Sequence, residues 1–135
     1  MSAMVKVSVI IPVYNVAPYL GECLDSVLQQ TLKDIEIVCV DDCSTDNSSF
    51  LLKKYAESDI RIRLFYNERN RDLSFTRNRG LKESCGEYVF FLDSDDALYD
   101  NEVLKELYTI AEQDDAELVS GRTVNWFPDE SGKEY

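Results

Sequence analysis

The sequence predicts an α/β fold: a mostly parallel sheet with helices on both faces. Four short runs rich in β-branched and apolar residues, at 5–13, 35–40, 60–66 and 88–92, alternate with segments whose apolar residues recur at helical spacing. The run at 88–92 is unbroken rather than alternating, which suits a strand covered on both sides. The polar residues able to do chemistry collect just after these runs, where ligands bind in sheets of this kind.

The elements follow in order. The first strand, 5–13, is closed by Pro12 near its end, since proline cannot donate to a ladder. Pro18 suits the first turn of a helix, and Tyr19, Leu20, Cys23, Leu24, Val27 and Leu28 then form one apolar stripe. A second strand at 35–40 runs into 41–48, a stretch of Asp, Ser, Thr and Asn that reads as turn and cap before a helix carrying Phe50, Leu51, Leu52 and Tyr55. A third strand is expected at 60–66, a third helix at 74–84 closed by Gly86, and a fourth strand at 88–92. The fourth helix, 101–113, carries Val103, Leu104, Leu107, Tyr108 and Ile110. A fifth strand is expected at 116–120, followed by a mixed polar and aromatic tail, so 1–135 reads as a single domain cut short at its C-terminus.

Composition narrows the partners. With 14 Lys and Arg against 26 Asp and Glu, the formal charge is −12, which disfavours nucleic acid and anionic membranes. An anionic substrate would need a cation to approach. The four cysteines form no C-x-x-C pair and there is no histidine, so a zinc site is not expected. They read as reduced thiols in a cytoplasmic protein, with Cys23 and Cys39 as small hydrophobes. Residues 1–6 lack the pattern of a leader, and 7–13 is far too short to cross a bilayer.

The fourth strand ends in Asp93-Ser94-Asp95-Asp96. Asp93 and Asp95 are two apart, so a continuing strand would point both to one side of the pleat. Converging carboxylates repel unless a cation lies between them, and oxygen ligands alone favour Mg²⁺ or Mn²⁺. The turn at 12–18 has no glycine, which argues against a P-loop or dinucleotide site. Tyr14 offers a face for a base, and Asp42 can accept a ring N–H of uracil or a ribose hydroxyl. Arg77 and Arg79 open a helix, a poor place for cations unless an anion such as pyrophosphate lies nearby; a surface ion pair is the plainer alternative.

Four segments, 7–15, 40–46, 74–80 and 91–96, closely resemble in order and spacing the nucleotide-binding half of family 2 glycosyltransferases. The resemblance implies a Rossmann-like GT-A fold and a nucleotide sugar donor, most often a UDP sugar. It implies that Pro12 and Tyr14 line the base pocket and Asp42 binds the base. Asp93 and Asp95 would form the Asp-x-Asp motif, Asp95 as the direct ligand of Mn²⁺ or Mg²⁺ and Asp93 nearer the ribose, with Ser94 in the same donor site. Arg77 and Asn78 match the pair that opens the family's helix, and Gly80 would let that helix pack closely. Asp72 stands where the family usually has glycine, and Phe75 and Thr76 where it has small residues, which implies a differently shaped loop over the donor.

Such enzymes transfer the sugar with inversion to a saccharide or other hydroxyl acceptor, and their base lies in a second half beyond these residues. The expectation is therefore a donor-binding part with negligible turnover alone. Its rival is a noncatalytic nucleotide-binding or interaction module of the same fold. A nucleotidyltransferase would carry a glycine-rich, basic first loop, which 12–18 does not provide. Val119, Trp126 and Phe127 suggest self-association if they are exposed.

Overall fold

A computed structural model describes residues 4–123. Strands and helices alternate strictly: β1 (Val7–Val13), α1 (Ala17–Leu28), β2 (Ile35–Asp41), α2 (Ser48–Ser58), β3 (Ile62–Tyr66), α3 (Leu73–Glu83), β4 (Tyr88–Phe91) and α4 (Val103–Gln113). The four strands form one sheet in the order β3-β2-β1-β4, with every pair parallel. Val7 stands opposite Ile35 on one side and Tyr88 on the other, which fixes the register of β2, β1 and β4.

The parity of the pleat divides the core. Val7, Val9, Ile11, Ile35, Ile37 and Cys39 face α1, α2 and α4, where they pack with Leu20, Cys23, Leu24, Val27, Leu52 and Leu104. Each fully buried aliphatic side chain contributes roughly 1.5–3 kcal/mol, so this cluster dominates the folding energy. Ile10, Val38 and Val40 face the other way, with Phe65, beneath α3. That helix comes close because Gly80 has no side chain: a Cβ there would lie 2.4 Å from Ile10 Cγ2.

Four expectations are corrected. The third strand begins at Ile62, because Ile60 lies in a turn and is 95% exposed. The segment 116–120 is not a strand; the Ala116 amide bonds the Ala111 carbonyl at 2.9 Å and continues the end of α4 instead of joining the sheet. The helix α3 ends at Glu83 and is capped by Ser84, whose backbone is extended, so Gly86 is not its cap. Gly86 is instead required for close approach: its amide donates to Ser8 Oγ at 2.8 Å, and a Cβ would lie 2.6 Å from that oxygen. Finally, β4 is covered on one side only. Tyr88 and Phe90 are half-buried beside α4, whereas Val89 and Phe91 are exposed because α3 lies over β1 and β2.

Ser8 also donates to Glu36 Oε2 at 2.5 Å, and this buried carboxylate accepts the Cys85 amide at 2.7 Å and Arg63 at 2.8 Å. The network ties the α3–β4 connection to the amino-terminal end of the sheet. Cys23 and Cys39 are buried, and Cys43 and Cys85 are exposed; all four are free. No helix among the described residues is long and apolar enough to cross a membrane. Trp126 and Phe127 lie outside the described residues.

Candidate functional site

At the carboxyl ends of β1 and β2, two turns are stitched into one wall. Asn15 adopts a left-handed backbone (φ 49°), which asparagine tolerates. Its Oδ1 accepts the amides of Thr45 at 2.8 Å and Asp46 at 3.2 Å, while its own amide donates to Ser44 Oγ at 3.1 Å. The start of α1 has no side-chain cap of its own and is served from the second turn. The amide of Val16 donates to Ser48 Oγ at 3.1 Å, and that of Ala17 to Asp46 Oδ2 at 3.2 Å. Asp41 accepts the Ser44 amide at 3.0 Å and the Ser49 hydroxyl. Turn formation thus occupies most of 41–48, as the composition indicated, and leaves Tyr14 47% exposed beside buried Pro12.

Asp42 is the peg for the loop that follows β3. It is buried, and its Oδ1 accepts Asn67 Nδ2 and the Arg71 amide, both at 2.8 Å, while Oδ2 accepts the Asp72 amide at 3.3 Å. Asn67 also donates to Thr76 Oγ1 at 3.0 Å. Asp72 caps α3 by accepting the Phe75 amide at 2.8 Å, from a backbone (φ 125°, ψ 173°) that favours glycine and costs a side chain on the order of 1–3 kcal/mol. Arg71 stacks on Phe75, 4.2 Å from the ring centroid. The two departures from the family pattern in this loop thus serve as a strained cap and an aromatic shelf.

The carboxylates converge by a turn rather than by the pleat. The strand β4 stops at Phe91, and the Asp96 amide donates to the Asp93 carbonyl at 3.0 Å. Asp93, Asp95 and Asp96 each bring an oxygen within 4.8 Å of the others, so Asp96 joins the two aspartates that the spacing singled out. Burial raises the pKa of Asp96, and Asp95 and Asp93 raise it further. Behind the cluster, the Cys23 thiol donates to the Asp93 carbonyl at 3.7 Å; its pKa is pushed up to about 12 by burial and then by the three aspartates. Three carboxylates without nitrogen or thiolate donors fit a hard divalent cation.

Arg77 donates through Nη2 to Asp93 Oδ1 at 2.8 Å, while its Nε is buried with no hydrogen-bond partner. Arg79 bonds the Tyr66 carbonyl and Asn67 Oδ1, a supporting role. Asn78 is exposed and does not line the cleft, since Thr76 and Gly80 on either side of it are the residues buried against the sheet.

Pro12, Tyr14, Asp42, Asp93, Ser94 and Asp95 line one cleft of about 380 Å³. It opens where β1 parts from β2 on one side and β4 on the other, the switch point at which open parallel sheets bind ligands. Val13, Val16, Asn70, Asp72, Leu73 and Thr76 complete the lining. The resemblance marks Asp72 and Thr76 among them, whereas the others have no pattern in sequence; the loop that Asp42 holds and the start of α3 bring the last four in.

Fold and site define a protein of the GT-A class. The chain belongs to glycosyl transferase family 2, whose family model matches residues 8–135. It is 45% identical over 116 residues to glycosyltransferase GlyA of Streptococcus pneumoniae, covering 86% of this chain and 16% of that protein. To GlyG of the same organism it is 38% identical over 120 residues, covering 89% of this chain and 40% of that protein. The chain therefore spans less than half the length of these curated relatives. Among solved structures, S. aureus TarS 1-349 in complex with UDP-GlcNAc matches with a TM-score of 0.75 at 36% identity, over 80% of this chain and 31% of that one. The mannosyltransferase PcManGT from Pyrobaculum calidifontis, in complex with GDP-Man and Mn²⁺, matches with a TM-score of 0.70 at 29% identity, over 76% of this chain and 31% of that one.

Proposed function

We propose that the cleft binds a nucleotide sugar, with a UDP sugar as the preferred donor, together with Mn²⁺ or Mg²⁺. The observation that carries this reading is the gathering of three carboxylate oxygens within 4.8 Å at the rim of a cleft that also holds Tyr14 and Asp42. Relatives captured with UDP-GlcNAc and with GDP-Man and Mn²⁺ support it. Tyr14 supplies a stacking face worth about 1–3 kcal/mol, Pro12 a wall of the base pocket, and Asp42 an acceptor for a base N–H. Asp93, Asp95 and Asp96 would hold the cation, and Ser94 lies against the donor. The cation supplies charge neutralisation of the diphosphate, which a chain of net charge −12 otherwise repels. Arg77 lies outside the residues that line the cleft, but its Nη2 reaches Asp93 at the cluster, and we assign that guanidinium to a phosphate oxygen of the bound donor.

For the whole protein we propose inverting transfer of the sugar to an acceptor hydroxyl. The clustered carboxylates are committed to the cation, so these residues alone should bind the donor with negligible turnover. Self-association through exposed apolar surface belongs to the same proposal. The test is calorimetric titration of UDP with and without Mn²⁺, with GDP as competitor and Asp95→Ala as control. We expect Mn²⁺ to strengthen UDP binding and the substitution to abolish that gain. Equal affinity in all conditions would remove the cation role, and no binding of either nucleotide would remove the donor-site reading.

A further inference from the structure

The connection from β4 to α4 carries the carboxylates, yet it has no helix or strand of its own between Leu92 and Glu102. Its internal bonds are few: the Asp93–Asp96 turn, and the Glu102 amide on Asp100 Oδ1 at 2.9 Å. Three carboxylates held this close repel one another, so an untethered loop would open. The restraint comes from the far end of α1 and the residues just beyond it. Gln30 is completely buried, and its Nε2 donates to the carbonyls of Ser26 at 3.0 Å and Asp100 at 2.5 Å, while its Oε1 accepts the Leu104 amide at 3.0 Å. Ser26 Oγ accepts the Leu98 amide at 3.0 Å and donates to the Cys23 carbonyl at 2.7 Å. The Thr31 amide donates to the Asn101 carbonyl at 2.8 Å. With Cys23 on the Asp93 carbonyl, α1 and its extension grip the loop at the first carboxylate and at Leu98, Asp100 and Asn101 after the cluster, and they hold the start of α4 at Leu104.

We propose that Gln30 and Ser26 are positioning residues for the cation site: they hold the β4–α4 loop in the shape that brings Asp93, Asp95 and Asp96 together before any ligand arrives. The side-chain amide of Gln30 suits this task because it offers donors to two carbonyls and an acceptor to an amide, which satisfies the loop's backbone where water is excluded. This role rests on the reading of the cleft as a site for a cation and a nucleotide diphosphate.

Two substitutions test it in the full chain. Gln30→Glu keeps the shape and the acceptor for Leu104 but sets an oxygen against the Ser26 and Asp100 carbonyls. Ser26→Ala removes the acceptor for Leu98 and the hydroxyl's own bond to the Cys23 carbonyl within α1, at a half-buried position that the fold should tolerate. Amide hydrogen exchange is followed in 93–104 and, as reference, in 48–66, and UDP affinity is measured with and without Mn²⁺. We expect faster exchange confined to 93–104 and a loss of about tenfold in the gain that Mn²⁺ gives to UDP binding, with the metal-free affinity unchanged. If the loop exchanges faster while the Mn²⁺ gain stays at the wild-type value, or if exchange rises equally everywhere, the residues only stabilise the fold and the proposal fails. A wild-type chain with no Mn²⁺-dependent binding would fail the underlying reading itself, an outcome visible before either variant is made.

Discussion

Arg77 joins the helix that borders the cleft to the acid cluster. Its ion pair with Asp93 is partly exposed on both sides, so its net worth is at most about 1 kcal/mol. A cation arriving at Asp93 competes with that guanidinium. Arg77→Gln is therefore expected to tighten Mn²⁺ binding without nucleotide by up to about fivefold, the same energy expressed as an affinity. Titration of free Mn²⁺ by paramagnetic resonance reads this directly, and unchanged affinity would show that the pair does not compete. Other site residues differ in how visible they are in sequence. Asp93 and Asp95 are marked by charge at the end of an apolar run, whereas the part of Asp96 depends on a turn that replaces the expected pleat. Asp42 stands out from a turn-rich segment, but its bonds to the Arg71 and Asp72 amides cross about thirty residues of chain and leave no local trace. Asn67, which joins Asp42 to Thr76 in that network, is an ordinary polar residue in sequence.

At the level of elements, β2 carries a charge in its buried interior. Glu36 is pushed up by burial, but bonds from Ser8, the Cys85 amide and Arg63 outweigh that effect, so its pKa falls below the ordinary value of 4.5. A carboxylate lowered by folding stabilises the protein at pH above its unfolded value, and that contribution disappears as pH falls through the folded value. Glu36→Gln should cost about 1–3 kcal/mol at pH 7 and flatten the loss of stability below the ordinary value, as followed by urea unfolding across pH. Asp46, lowered by Ser48, and Asp59, lowered by Arg61, contribute in the same direction to the slope that remains. An acid limb as steep as in the wild type would remove Glu36 from that account. Periodicity revealed all four strands and all four helices, because each buries a stripe or a face. It misled at 116–120, where apolar character was not matched by a free ladder the segment joins, and at β4, where an unbroken apolar run has cover on one face only.

For the whole molecule, charge and exposed apolar surface oppose each other. Val89 and Phe91 are exposed on a strand at the edge of the described sheet, and Leu118 is 86% exposed nearby in sequence to α4. A net charge of −12 keeps copies apart where it is unscreened. Sedimentation across a concentration series should therefore show self-association that grows with salt; a monomer at every salt and concentration would remove it. The layered α/β plan was legible because it follows from alternation alone. The shape of the cleft was not, because it is set by side chains that reach between turns distant in the chain.

The distribution of thiols makes the molecule its own reporter. Cys23 and Cys39 are buried and their pKa values are raised, first by burial, which protects them from alkylation. Cys43 and Cys85 remain accessible at opposite ends of the sheet, the first one residue beyond Asp42 at the cleft rim and the second before β4 at the remote end. A maleimide should label two sites, and a bound nucleotide should slow labelling at Cys43 while Cys85 reacts at its former rate. Equal slowing at both, read by mass spectrometry of the two peptides, would mean that the label senses something other than occupancy of the cleft.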